Sequence, residues 1–325
     1  MEGILDNFSN NYSSQRTFIR EPTYGEVDRS SQYSLGRSLA NNKLITFCIG
    51  LSLLIFFGVI VGERNKVFTK FIPRLRGEIV LQDGYVITSI DRKYPILIKR
   101  NDPRIGKQLR YKGTVESVFD DAALNLCTKD EKVVEVGAHY GYNPIMIGQI
   151  LRMNGKYIAV EGNPSIARCL YKNIVLNDLS ETVEMIVKAA ADYEGVCNIN
   201  DVAVTADEED DDTVITKALM VECDTLDHLL QDKEVSLILI DIPGGVFPIL
   251  KGAEKTINRA KKLQLLVSVD MDRVSRTVDV RRELSFWRQR GLKFYEVVSA
   301  TKKREIFIDE IISKRKLILL MKKEK

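Results

Sequence analysis

Val133-Val134-Glu135-Val136-Gly137-Ala138-His139-Tyr140-Gly141 is the stretch that decides the fold. It reads as a short buried strand with an acid near its end, followed by a Gly-x-x-x-Gly turn. A second strand, Tyr157-Ile158-Ala159-Val160, closes on Glu161. Apolar, β-rich runs of this kind suit the central strands of a parallel sheet. The two glycines let the backbone turn tightly and approach a ligand where a Cβ would clash. An acid at the end of the next strand commonly grips the ribose hydroxyls of a bound nucleoside. The stretch therefore predicts a nucleoside-cofactor crevice.

Working outward, strands and helices alternate from Glu131 to the C-terminus, the pattern of a doubly wound, mostly parallel sheet. Strands are expected at 132–136, 157–160, 183–187, 236–240 and 264–269. Phe294–Val298 and Leu317–Met321 are expected to add a final antiparallel pair, seven strands in all. Helices are expected at 143–153, with Ile145, Ile147, Ile150 and Leu151 on one side, and at 166–176 after Asn163-Pro164, with Pro at the first helical position. The acidic run Asp207–Asp212 sits in a hairpin-like insertion and reads as a solvated loop. Upstream, residues 78–129 form a small N-terminal β/α element before the catalytic-type domain at 130–321, with a hairpin signal at Asp83-Gly84 and a helix at 113–127.

The first 43 residues are polar, without a sustained apolar period, and read as a disordered tail. They carry the sequons Asn7-Phe8-Ser9 and Asn11-Tyr12-Ser13. Leu44 to Gly62 is uncharged and apolar. As a helix it would span roughly 28 Å, close to the hydrocarbon thickness of a bilayer. It is expected to be a single transmembrane anchor. Residues 63–77 are a basic linker, and the excess of Lys and Arg there over the segment before the anchor predicts a cytoplasmic C-terminal domain.

A net charge of +3 over 325 residues gives no bulk electrostatic reason to expect a nucleic-acid partner. Five scattered cysteines with no C-x-x-C pair predict neither a zinc site nor a disulfide framework, so no metal is expected. Dinucleotide binding by G-x-G-x-x-G is disfavoured because His139 stands where the middle glycine would be. The lone Trp287 reads as core packing and His228 as a solvent-facing residue.

The succession VVEVGAHYGYNP, YIAVEGNPSIARCLYKNIVLND, KAAADYEG, VECDTLDHLL and LILIDIPGGVFPILKGA resembles the FkbM family of S-adenosylmethionine-dependent methyltransferases over residues 79–321. The resemblance implies a Rossmann-like, class I methyltransferase fold acting on hydroxyl oxygens of sugars, glycans or small metabolites. It would place Gly137, Ala138 and Gly141 under the methionine part of the cofactor, Glu161 at the ribose, Asp192 near the adenine amino group and Asp241 facing the methyl group. Glu135 joins the candidate cofactor residues, since carboxylates such as Glu135, Glu161 and Asp241 beside a sulfonium suit its charge, and Asn163 is a further candidate cofactor residue. Asp241 or His139 could serve as the base for a hydroxyl acceptor. Bland readings stand beside these: Glu161 capping the next helix, Asp241 capping the turn after its strand, and His139 bonding backbone. The sequence departs from the family's Asp-x-Glu-Gly pattern at Asp241-Ile242-Pro243-Gly244, where proline supplies no carboxylate. That departure keeps a non-catalytic, cofactor-binding scaffold as the alternative. The same loop lacks the aromatic residue with which amino-directed nucleic-acid methyltransferases stack a flipped base.

Overall fold

The computed structural model of the protein describes residues 78–81, 84–102, 105–204, 214–242 and 244–323. The expected tail, anchor and linker, the acidic run, Asp83 and Pro243 all lie outside the described residues. Among the described residues no helix is long and apolar enough to cross a membrane.

The elements run in order β1 (Ile79–Val80), β2 (Tyr85–Ile90), β3 (Tyr94–Lys99), α1 (Gly106–Lys112), α2 (Val118–Leu126), β4 (Lys132–Val136), α3 (Tyr142–Leu151), β5 (Lys156–Val160), α4 (Pro164–Leu176) and β6 (Val183–Ile186). There follow β7 (Ala189–Ala191), β8 (Gly195–Val204), β9 (Val214–Thr225), α5 (Leu226–Leu230), β10 (Leu237–Ile240), α6 (Val246–Lys251), α7 (Glu254–Arg259) and β11 (Leu263–Asp270). The chain closes with α8 (Met271–Val274), α9 (Val280–Gln289), β12 (Leu292–Val297), β13 (Lys303–Glu305), α10 (Ile308–Ser313) and β14 (Lys316–Lys323).

The main sheet has the order β13-β12-β14-β11-β10-β4-β5-β6. Strands β6, β5, β4, β10 and β11 pair in parallel, and β14 returns antiparallel between β11 and β12. Successive strands run outward from β4 in one direction and from β10 in the other, so the switch point lies between β4 and β10. Side chains alternate across the pleat, which divides the core in two. Val134, Val136, Ile238, Ile240 and Val267 face one layer with Leu226, Phe247 and Trp287. Val133, Tyr157, Leu237, Leu239 and Leu266 face the other with Phe119, Ile147 and Leu170. Trp287 is fully buried, as the core reading expects.

The sequence expectation of seven strands is corrected to eight. Strand β13 pairs with β12 at the sheet edge, and its Lys-Arg-Glu sequence is exposed throughout, so it carries no apolar signature. The single helix expected at 113–127 is also corrected. Gly113, at φ 76°, ends α1, and Ser117 starts α2 by accepting from the Asp120 N–H. On α3, Ile150 is exposed rather than on the packed side. The insertion is a hairpin: β8 pairs antiparallel with β9, which also pairs in parallel with β7.

The small sheet β1-β2-β3 shares an apolar cluster with Tyr140, Tyr142 and Ile145 of the α3 region and Cys169 of α4. A buried asparagine fastens it. Asn173 Oδ1 accepts from Leu97 N–H at 2.6 Å, while Nδ2 donates to Leu97 O at 2.8 Å and to Tyr140 O at 2.7 Å. One side chain thus satisfies both backbone groups of a β3 residue and ties them to the loop after β4.

Candidate active site

The loop after β4 is built from alternating left-handed residues. Gly137, His139 and Gly141 have φ of 85°, 53° and 92°. A Cβ at Gly137 would lie 2.9 Å from Ile242 Cγ1, and one at Gly141 would lie 2.6 Å from Leu170 Cδ1. Both positions therefore demand glycine on conformation and on space. Four of the loop's donors are engaged within the fold. Gly137 and Ala138 N–H groups donate to Val160 O, Gly141 N–H to Ala138 O, and His139 N–H to Glu161 Oε2 at 2.8 Å. Pro144 then removes a donor from the first turn of α3. Such a loop is poorly equipped to cradle a pyrophosphate, which needs several free N–H groups.

Glu161, at the end of β5, is buried, and its Oε1 accepts from Asn163 N–H at 2.8 Å. Its carboxylate thus braces the glycine loop against the start of α4. The capping role belongs to Asn163, whose Oδ1 accepts from Ser165 and Ile166 N–H groups. Asp192 follows β7 and pairs with Lys251 Nζ of α6 at 2.9 Å.

Glu135 sits lower than the sequence reading placed it, in a polar network beneath the loop. Its Oε2 accepts from Tyr157 Oη–H at 2.7 Å and its Oε1 from Asn143 Nδ2 at 2.9 Å. The same Asn143 amide donates to Asp120 Oδ1 at 2.8 Å, so β4, β5, α2 and α3 are joined through three side chains. Burial pushes the Glu135 carboxyl up to about 8, outweighing the hydrogen bonds from Tyr157 and Asn143 that pull it down. Glu135 is therefore mostly protonated at neutral pH, and the expected contribution of its negative charge is corrected. Burial also raises Asp120. Asp241, just past β10, is close enough to add to the rise at both carboxyls.

The His139 imidazole is mostly buried and faces Asp102, with Nε2 3.6 Å from Oδ2. Asp102 Oδ1 in turn accepts from Ile105 and Gly106 N–H groups at the start of α1. His139 thereby links the loop to the N-terminal element. Elsewhere, Glu194, Asp224 and His228 bring ligand-type atoms within 4.8 Å of one another. Lys188 Nζ at 3.4 Å already offsets the buried Asp224 charge, and His228 Nδ1 lies 2.9 Å from the same carboxylate oxygen, so this cluster is a structural polar contact. His228 is exposed as expected, with Asp224 as its partner.

Carboxylates thus gather around a glycine loop at the switch point of a doubly wound sheet. Residues 135–293 match the family model described as the methyltransferase FkbM domain. The chain carries an FkbM methyltransferase domain. No curated protein matches the sequence. Among solved structures, an rRNA methylase from Streptococcus thermophilus is 11% identical, with 65% of this chain and 99% of that chain covered at a TM-score of 0.38. The Methanococcus jannaschii fibrillarin pre-rRNA processing protein is 15% identical, covering 76% and 94% at 0.37. Precorrin-6y C5,15-methyltransferase from Geobacter metallireducens is 12% identical, covering 63% and 86% at 0.37.

The main sheet's strand order, with an antiparallel β14 inserted beside β11, is that of a Rossmann-like methyltransferase. S-adenosylmethionine is the methyl donor this fold implies. The FkbM region also contains polar residues that sequence reading passed over. Tyr157 and Asn143 look like ordinary strand and helix residues until the sheet brings them to Glu135. Asp270 did leave a signal: like Glu161 and Asp241, it is an acid at the carboxyl end of a parallel strand.

Proposed function

We propose that the protein is a membrane-anchored, S-adenosylmethionine-dependent O-methyltransferase acting on a hydroxyl of a sugar, glycan or small metabolite. One observation carries the cofactor reading: acidic groups flank a loop whose N–H donors at Gly137, Ala138, His139 and Gly141 are already engaged. Glu161 and Asp241 suit a ribose and a cationic sulfonium and would repel a pyrophosphate, and Asp192 would meet the adenine amino group. Glu161 accepts two backbone N–H groups, which fix its carboxylate at the end of β5, where the ribose hydroxyls would approach. Gly137, Ala138 and Gly141 leave room for the methionine part.

When bound between Glu161 and the glycine loop, that cofactor would supply an electrophilic methyl for the acceptor oxygen, with the neutral thioether as the leaving group. Asp241 at the mouth of β10 orients the acceptor hydroxyl and takes its proton. His139, held by Asp102, shapes the loop and is the second candidate base. The apolar run Leu44–Gly62 supplies the anchor and the basic linker holds the domain at the cytoplasmic face.

The test uses the full chain and calorimetry with S-adenosylmethionine and S-adenosylhomocysteine. Both should bind, NAD should not, and Glu161→Ala should weaken binding by about 1–3 kcal/mol. Labelled methyl transfer is then screened over glycans, small hydroxyl compounds and an RNA arm. Equal binding by Glu161→Ala would overturn the cofactor assignment. Tight binding with no transfer to any acceptor would establish the scaffold alternative that the Pro243 loop keeps open.

A further inference from the structure

Beside Asp241 the carboxyl ends of β11 and β12 and the amino end of the antiparallel β14 line an open cavity of about 330 Å³, with Val118 at the start of α2 on its wall. Its apolar wall comes from Val118, Val297, Leu317 and Ile318. Its polar wall comes from Ser268, Asp270 and Lys316. The register puts the cavity against the proposed transfer site. Val267 pairs with Ile240, so Ser268 and Asp241, the next residues on parallel neighbours, stand side by side. Asp270 lies two residues beyond Ser268 on the same strand face, opposite Lys316 of β14. Asp241, Ser268 and Asp270 therefore make a row of polar groups along the strand ends.

Asp270 is the unusual member. Its Oδ2 lies 3.4 Å from Lys316 Nζ and 3.8 Å from Arg273 Nε, both exposed side chains. Its Oδ1 is buried with no hydrogen-bond partner among the described residues. An unsatisfied carboxylate oxygen is costly, and such groups are retained where a ligand or catalytic role uses them. Here one carboxylate faces two cations. A further positive charge in the cavity would be repelled by Lys316 and Arg273 beside Asp270, whereas a neutral hydroxyl would satisfy the spare oxygen.

We propose that this cavity is the acceptor subsite and that Asp270 with Ser268 reads a second hydroxyl of a neutral or anionic polyol. The reacting hydroxyl sits at Asp241, and the aliphatic C–H flank of the polyol lies on Val118, Val297 and Ile318. Cationic amino sugars are rejected by Arg273 and Lys316. The volume accommodates a single pyranose ring, at the lower end of the size range of ligand pockets. This rests on the methyltransferase reading above and adds the acceptor class and the residues that select it.

The experiment uses the full chain saturated with S-adenosylhomocysteine, with methyl glucoside, glucuronate and glucosamine as probes at pH 7, read by ligand-observed NMR titration. Methyl glucoside and glucuronate should bind, and glucosamine should bind at least about tenfold more weakly. Asp270→Ala should weaken methyl glucoside binding by about 10- to 100-fold, the loss of a hydrogen bond to a charged group. Asp270→Asn, which keeps an acceptor oxygen, should restore part of it. Val297→Trp and Ser268→Leu each fill the cavity and should abolish sugar binding while leaving S-adenosylhomocysteine binding intact by calorimetry. Thermal melting identifies which of the two fillers is folded. If S-adenosylhomocysteine binds but no sugar does, or if sugars bind the folded fillers and wild type equally, the subsite is wrong. Equal binding of glucosamine overturns the charge selection. If S-adenosylhomocysteine does not bind, the methyltransferase reading falls and takes the subsite with it.

Discussion

At the scale of single residues, two carboxyls near the glycine loop behave in opposite ways. Glu135 is buried, and its folded value of about 8 stands above its ordinary 4.5. The native state therefore binds a proton that the unfolded chain has lost between these values. Its contribution to stability is fully present below about pH 4.5, declines as pH rises toward 8, and is flat beyond. The slope is at most roughly 1.4 kcal/mol per pH unit. Glu135→Gln keeps the shape without the ionisation. Denaturant melts of both proteins between pH 5 and pH 8 should show wild type losing stability relative to the variant. A constant difference across that range would show that Glu135 does not titrate there. Asp241 lies at the open end of β10 and has the chemical assignment. Asp241→Asn should retain S-adenosylhomocysteine affinity while cutting turnover by roughly 10²–10⁴, the size of a general-base contribution. Equal turnover would move the base to His139 or to solvent.

At the scale of elements, the glycine loop is held from both sides. Glu161 braces it from β5, and the small sheet braces it through α4. Asn173 is the joint, because its amide serves both the β3 backbone and the Tyr140 carbonyl next to Gly141. Asn173→Ala would leave these buried groups unpaired, at a cost of about 2–3 kcal/mol. Urea melts should show a loss of that size, accompanied by weaker S-adenosylhomocysteine binding because the loop loses a support. A stability loss below about 0.5 kcal/mol would mean that water replaces the amide.

At the scale of the whole molecule, the proposed arrangement across a bilayer rests on charge. Arg64, Lys66, Lys70, Arg74 and Arg76 follow the apolar run, whereas Arg29, Arg37 and Lys43 precede it. If the proposed anchor spans a bilayer, the positive-inside tendency would hold the methyltransferase domain in the cytoplasm and send the sequons across. Protease added to sealed vesicles with the cytoplasmic face outward should digest the domain, and Asn7 or Asn11 should accept glycans. A protected domain would reverse the orientation. An extractable, peripheral protein would remove the anchor altogether.

The sequence by itself determined the five parallel strands, the returning antiparallel pair and the position of the glycine loop. Buried parallel strands must be apolar on both faces, and a left-handed turn against Leu170 and Ile242 must be glycine, so both leave local signatures. It also marked Glu161, Asp192 and Asp241, because an acid ending a strand is visible without coordinates. Only the tertiary structure decided what each acid does. Glu135 and Glu161 are both acids of the same local type, yet one meets Tyr157 and Asn143 in the core and the other meets backbone amides at the loop. Their partners come from different elements, and no local pattern encodes which side chains a sheet will bring together. The edge strand β13 was silent for a related reason. Its exposed Lys303, Arg304 and Glu305 bury no side chain, so its pairing with β12 comes from backbone hydrogen bonds, which any sequence can make. The cavity beside Asp241 belongs to the same class, since Val118, Ser268, Val297 and Lys316 come from four elements and meet only when the sheet closes around them.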